Sequence, residues 1–391
     1  MRLYMKIIIV IAAVMGGIPP TDAPHRILAE PQASPDGIDT VLPTDIDPNS
    51  LNRLAALSSD SPNTAQGVEA IRRRGVGDAR WASPLGRRLP ELAILITGRE
   101  HDQPYEWSLH ELEAIAVGLD PEVIDVVRHR RPLTGLGDRE AVVIQLGREL
   151  FGSRELSSAT YARAVSLLGE SNLVDLVDLM ARYSGIAVRL TAFNQYMPPN
   201  WLQLLPLPFE QPDDIHPESR SRLPLLRSTE STPQGSRDLY GRTLSPEGTG
   251  PGHIARHGAG RESLEASVGK PIVGLAALLT ARALDSQYAW TVSEVAARED
   301  GLKPEVIDVV RYRRPPTGLG EREAALVIFA RELFGRRYVS AETYARTVDV
   351  FGERDLVDLV IVMGEETGNI ALLTAFDQHL PAGQARLFPL P

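Results

Sequence analysis

The sequence matches itself. Shifted by 183 positions, residues 92–198 align with residues 275–381 without a gap, and about half of the aligned positions are identical. PEVIDVVRHRRPLTGLGDRE in the first copy returns as PEVIDVVRYRRPPTGLGERE in the second. Whatever unit the first copy forms, the second must be able to form as well. This predicts a tandem duplication of one compact domain, with a first repeat over 86–205 and a second over 266–391. A lead-in over 24–85, rich in Pro, Asp, Ser and Asn, is expected to be loosely structured, with one short helical candidate around Thr64–Arg74. A Pro/Gly/Ser-rich connector over 206–265 is expected between the repeats.

The apolar spacing of each copy is helical, and start signals place the helices. Pro90 suits the first turn of a largely apolar helix running to about Arg99. Pro104 opens the next, to about Val117, because a proline's missing N–H costs nothing at that position. Asp120-Pro121 caps a short helix whose Arg128, Arg130 and Arg131 fall at its C-terminal end, where they complement the helix dipole. Further helices are predicted over Asp138–Phe151, from Ser157 or Ser158 to Leu168, and over Ser171–Gln195. No stretch shows the two-residue alternation of a half-buried strand. The fold class expected is all-α.

Composition narrows the chemistry. Hydrophobic residues make up 43% of the 391, enough for real cores. The formal net charge of −10 argues against a general nucleic-acid binder, which must neutralise phosphates. The absence of cysteine excludes a thiol nucleophile, a thiolate metal site and a disulfide. At the N-terminus, Arg2 and Lys6 precede an apolar run from Ile7 to Val14, then small residues and Pro19-Pro20. That order is expected for a secretory signal over 1–23 and is too short for a stable membrane span. A periplasmic or secreted location follows, with a cytoplasmic one as the alternative.

The two copies differ where chemistry is possible. Glu91, Glu106 and His110 in the first copy stand opposite Gly274, Ala289 and Ser293 in the second. Glu106 and His110 are four residues apart, so on a helix they share a face. A carboxylate beside an imidazole orients it for general acid–base catalysis, and Glu91, one helix earlier, would complete a proton relay. The same spacing also fits an ordinary Glu–His pair on a solvated surface. Trp107 and Tyr105 are candidate substrate contacts. They persist as Trp290 and Tyr288 in the copy without the acid–base groups, which equally fits packing residues. Arg128–Arg131 could grip a carboxylated substrate or could simply complement a helix end. No metal or other cofactor is expected, since this spacing is not specific for one.

LPELAILITGRE, YEWSLHE followed by GL-x-PE, and a long closing helix ending in LTAF together resemble the carboxymuconolactone decarboxylase family, which includes the alkyl hydroperoxidase D-like proteins. The resemblance covers both copies. It implies a compact all-helical domain that self-associates through its helices. The family's peroxidase branch uses a glutamate, Cys-x-x-Cys and a histidine. Here those positions hold Glu91, Gln103, Glu106 and His110, and in the second copy Gly274, Ser286, Ala289 and Ser293. A thiol-dependent antioxidant activity is therefore disfavoured. The decarboxylase branch, with acid–base groups and no cysteine pair, implies decarboxylation, lactone opening or isomerisation of a small carboxylated or lactone-like molecule. The alternative is a non-catalytic helical binding or assembly protein.

Overall fold

The computed structural model describes residues 42–61, 64–77, 83–198, 201–208, 210–226 and 249–388. The expected signal segment, 1–23, lies outside them. Among the described residues the chain is all-α. Its only strand-like feature is an isolated bridge between Asp47 and Asn52.

The first copy together with its lead-in comprises α1 (Gly67–Arg72), α2 (Arg88–Glu100), α3 (Pro104–Ala116), α4 (Pro121–Arg128), α5 (Asp138–Gly147), α6 (Ser158–Leu168) and α7 (Glu170–Ala192). Its second counterpart comprises α8 (Gly250–Ala255), α9 (Arg261–Val268), α10 (Lys270–Ala283), α11 (Gln287–Glu299), α12 (Pro304–Arg311), α13 (Glu321–Arg336), α14 (Ala341–Phe351) and α15 (Glu353–Ala375). The start signals act as expected. Asp120 accepts from the Glu122 N–H at 2.9 Å, and Ser157 from the Thr160 N–H at 3.2 Å. One predicted helix divides: α5 passes into a π-helical turn, Arg148–Ser153, whereas α13 is continuous over the matching positions. No described helix is by itself long and apolar enough to cross a membrane.

α2 is buried along nearly its whole length and forms the centre of the first copy, packed by α3, α5 and α7. α10, less completely buried, takes the equivalent central place in the second copy, packed by α11, α13 and α15. The two copies meet along α7 and α15. A Cβ at Gly185 would stand 2.5 Å from the carbonyl oxygen of Gly364, and one at Gly368 would stand 2.7 Å from that of Ala181. These helices therefore touch backbone to backbone, which only residues without a side chain permit.

The described parts of the lead-in and the connector pack onto the two copies. α1 and α8 start 183 residues apart, one in each of these segments. Asp175 accepts the N–H groups of Val76 and Gly77, and Asp358 those of Ala259 and Gly260. Residues 43–54 (PTDIDPNSLNRL) and 212–223 (PDDIHPESRSRL) form a second matched pair, and each straps onto the opposite copy. Arg53 N–H donates to the Phe376 carbonyl at 2.9 Å, and its guanidinium donates to that of Ala375 at 3.3 Å. The Arg53 guanidinium also lies over the Tyr161 ring, 5.1 Å from its centre. Arg222 repeats the arrangement on Phe193 and Ala192, with its guanidinium 4.6 Å over Tyr344. Each arginine thus places a cation on the unsatisfied carbonyls that end a long helix. Tyr161 and Tyr344 serve this packing.

Gly185→Ala should destabilise the protein by about 1–3 kcal/mol, because the added methyl meets backbone that cannot move aside. Gly335→Ala, inside α13 with nothing near its would-be Cβ, should be neutral or stabilising by up to about 1 kcal/mol. Urea unfolding of the two variants checks both signs.

Candidate acid–base site

Residues 101–103 form a tight turn between α2 and α3, so the two helices run antiparallel and face each other. Glu91 lies in the first turn of α2 and His110 in the second half of α3. Across this interface His110 Nδ1 and Glu91 Oε2 are 2.9 Å apart, and both side chains are only 3% exposed. Tyr183 of α7 sets its ring edge-on against the imidazole, with centres 4.9 Å apart at 88°. The histidine is thus held from two neighbouring helices.

The sequence suggests Glu106 as the group that orients His110, with Glu91 as the relay. The structure reverses these positions. Glu106 packs near Gly98, its Cγ 3.7 Å from where a Cβ on that glycine would stand. His110 is one turn further along α3 and, because the helices are antiparallel, it meets α2 nearer its start, at Glu91. Sharing a helix face allows Glu106 and His110 to meet but does not compel it.

Glu106 is buried, and neither of its carboxyl oxygens has a hydrogen-bond partner. Burial pushes its pKa well above the ordinary carboxylate range, and the Arg189 cation on α7 only partly opposes this. An ionised carboxylate without hydrogen bonds in such a place would cost several kcal/mol, so burial favours the protonated form. The site therefore combines a held imidazole, paired with Glu91, and a buried carboxyl group without hydrogen bonds one helical turn away.

Trp107 and Tyr105, candidate substrate contacts by sequence, are wholly packed. The Trp107 indole N–H donates to Glu111 at 2.6 Å, and Arg128 pairs with the same carboxylate. Trp290, Glu294 and Arg311 repeat that arrangement in the second copy. The Tyr105 hydroxyl lies 3.2 Å from that of Thr249, and its ring packs against Trp201. Arg130 and Arg131 are paired with Glu100 and Asp125. Tyr183 and Arg189 join the site without having been singled out by sequence. The signal available was their replacement by Glu366 and Leu372 inside otherwise matching helices. Among the described residues, no group of three or more His, Asp or Glu side chains is arranged to hold a metal ion.

The second copy folds the same helices around Gly274, Ala289 and Ser293. The three ionisable groups are therefore not required by the helical framework. Compared with protein-family models, curated proteins and solved structures, the chain matches none.

The raised pKa of Glu106 carries a stability consequence. Its folded form holds the proton to higher pH than the unfolded chain, whose carboxyl titrates near 4.5, so the group costs stability as pH rises above that value. Glu106→Ala should gain stability relative to wild type as pH is raised from about 4.5 through neutrality, the gain levelling off above the folded pKa. Urea titrations across that range measure it. A difference independent of pH would show that Glu106 is not a buried acid.

Proposed function

We propose that the chain is a tandem-duplicated, cysteine-free relative of the carboxymuconolactone decarboxylase family whose first copy carries out general acid–base chemistry. The observation that supports this reading most is the buried Glu91–His110–Glu106 group, present in one copy and dispensable to the fold of the other. Glu91 at Nδ1 fixes the imidazole, which takes a proton from a carbon or hydroxyl of the substrate once the interface opens. Glu106, neutral before reaction, returns a proton to the oxygen or carbon where negative charge develops. One proton leaving the substrate and one arriving suits isomerisation or eliminative lactone opening; in a decarboxylation carbon dioxide leaves in place of the first proton, and Glu106 protonates the carbon that keeps the electron pair. A small carboxylated or lactone-like molecule is the substrate class. The second copy then takes the place that a neighbouring subunit would fill in a self-associating relative.

The burial of all three groups to 2–3% exposure favours a second reading. A substrate reaches them only when the α2–α3 interface opens, and a non-catalytic helical binding or assembly protein needs no such opening.

Incubation with a panel of lactones and unsaturated carboxylates, followed by mass spectrometry, separates the two readings. Under the catalytic reading, His110→Ala and Glu91→Gln lower turnover by about 10²–10⁴-fold, while Ser293→Ala leaves it unchanged. Equal rates in wild type and His110→Ala end the catalytic proposal, and no turnover across the panel favours the binding protein.

A further inference from the structure

A cavity of about 70 Å³ lies at the junction of the two copies, away from the acid–base group. It has room for a handful of non-hydrogen atoms. Its walls are matched: Phe151 and Arg154 come from the first copy, Phe334 and Arg337 from the second. Both arginines have left-handed backbones, at φ 58° and 53°, a conformation that costs a residue with a side chain about 1 kcal/mol. Each reaches across to the other copy, Arg154 to Asp285 at 3.1 Å and Arg337 to Asp102.

The surroundings are strongly cationic although the chain as a whole is acidic. Asp102 is shared by Arg99, Arg130 and Arg337, and Asp285 by Arg154, Arg282 and Arg313. Glu100, which also lines the cavity, is bonded to Arg130 at 3.2 Å. Six guanidinium groups therefore face three carboxylates. Arg154 and Arg337 are each about half exposed at the rim, and a guanidinium has five donors, so an anion can be gripped without breaking the existing pairs.

The symmetry of the walls is not complete, and two of the differences bear on a ligand. The first copy contributes His101 where the second contributes Leu284, and the π-helical turn carrying Phe151 has no counterpart in α13. π-helical turns of this kind recur at ligand sites. His101 Nδ1 lies 2.9 Å from the Thr97 carbonyl, which can only accept, so Nδ1 carries the hydrogen. Burial, reinforced by the Arg337 cation, pushes the His101 pKa down to about 4 and keeps the ring neutral. Its Nε2 is then a lone-pair acceptor among cations. An anion that also brings a hydroxyl hydrogen satisfies both.

We propose that this cavity binds a small hydroxycarboxylate anion, its carboxylate held by Arg154 and Arg337 and its hydroxyl donating to His101. Glycolate is the probe, and acetate, which lacks the hydroxyl, is the control. Calorimetric titration of the full chain should give tighter binding of glycolate than of acetate. His101→Leu, the residue the second copy already accommodates, should weaken glycolate about ten-fold and leave acetate within about two-fold. Arg154→Gln should weaken both about ten-fold, with circular dichroism verifying that each variant is folded. His110→Ala should leave glycolate affinity unchanged, so the result is independent of the acid–base proposal. No glycolate binding by wild type, equal binding by wild type and His101→Leu, or loss on His110→Ala each overturns the assignment.

Discussion

The backbone contact between α7 and α15 is the constraint on which the rest of the molecule depends. Two helices of 23 residues can approach this closely only where Gly185, Gly364 and Gly368 remove the side chains between them. The approach brings the ends of both helices within reach of the opposite copy's strap. It also carries Arg154 and Arg337 to opposite sides of one small cavity. A wider separation would leave Arg53 and Arg222 without the carbonyls they now satisfy. The two copies are thus parts of a single packed body.

Within that body the copies share a framework and differ in their buried ionisable groups. Both keep the Trp–Glu–Arg arrangement that anchors α3 or α11, and both keep the strap and its aromatic seat. The first copy alone carries an unpartnered buried acid beside a held imidazole. Burying a polar group without a hydrogen bond lowers stability, and the second copy avoids this with Ala289. The unfavourable group thus sits in only one of two equivalent frames, and the other shows that the fold does not need it.

Much of the helical framework was legible in the sequence because its causes are local. Pro104, Asp120 and Ser157 mark helix starts by the geometry of their own backbones, and the apolar spacing marks the faces. The straps were missed because their match, PTDIDPNSLNRL with PDDIHPESRSRL, sits at a different offset from the main alignment, and because their partners are far away in the chain. The π-helical turn was missed since its residues, RELFG, are identical in α13, where they stay α-helical. Local sequence does not decide between the two there. In the candidate site, Glu91, Glu106 and His110 could be picked out from their loss in the second copy. Which glutamate meets the imidazole was not legible, because that depends on how α2 slides against α3.

The straps also impose an order on how the molecule is made. Asn52 donates to Gln378, 326 residues away, and Leu51 accepts from His379. During synthesis the first strap leaves the ribosome long before its seat exists, so it has to wait until the end of α15 has emerged. The second strap finds the Ala192 and Phe193 carbonyls already made, while its ring partner Tyr344 comes later. Closure of the N-terminal strap is therefore a late event, delayed by the distance its partner lies along the chain. Until it closes, the last carbonyls of α15 have only water to satisfy them.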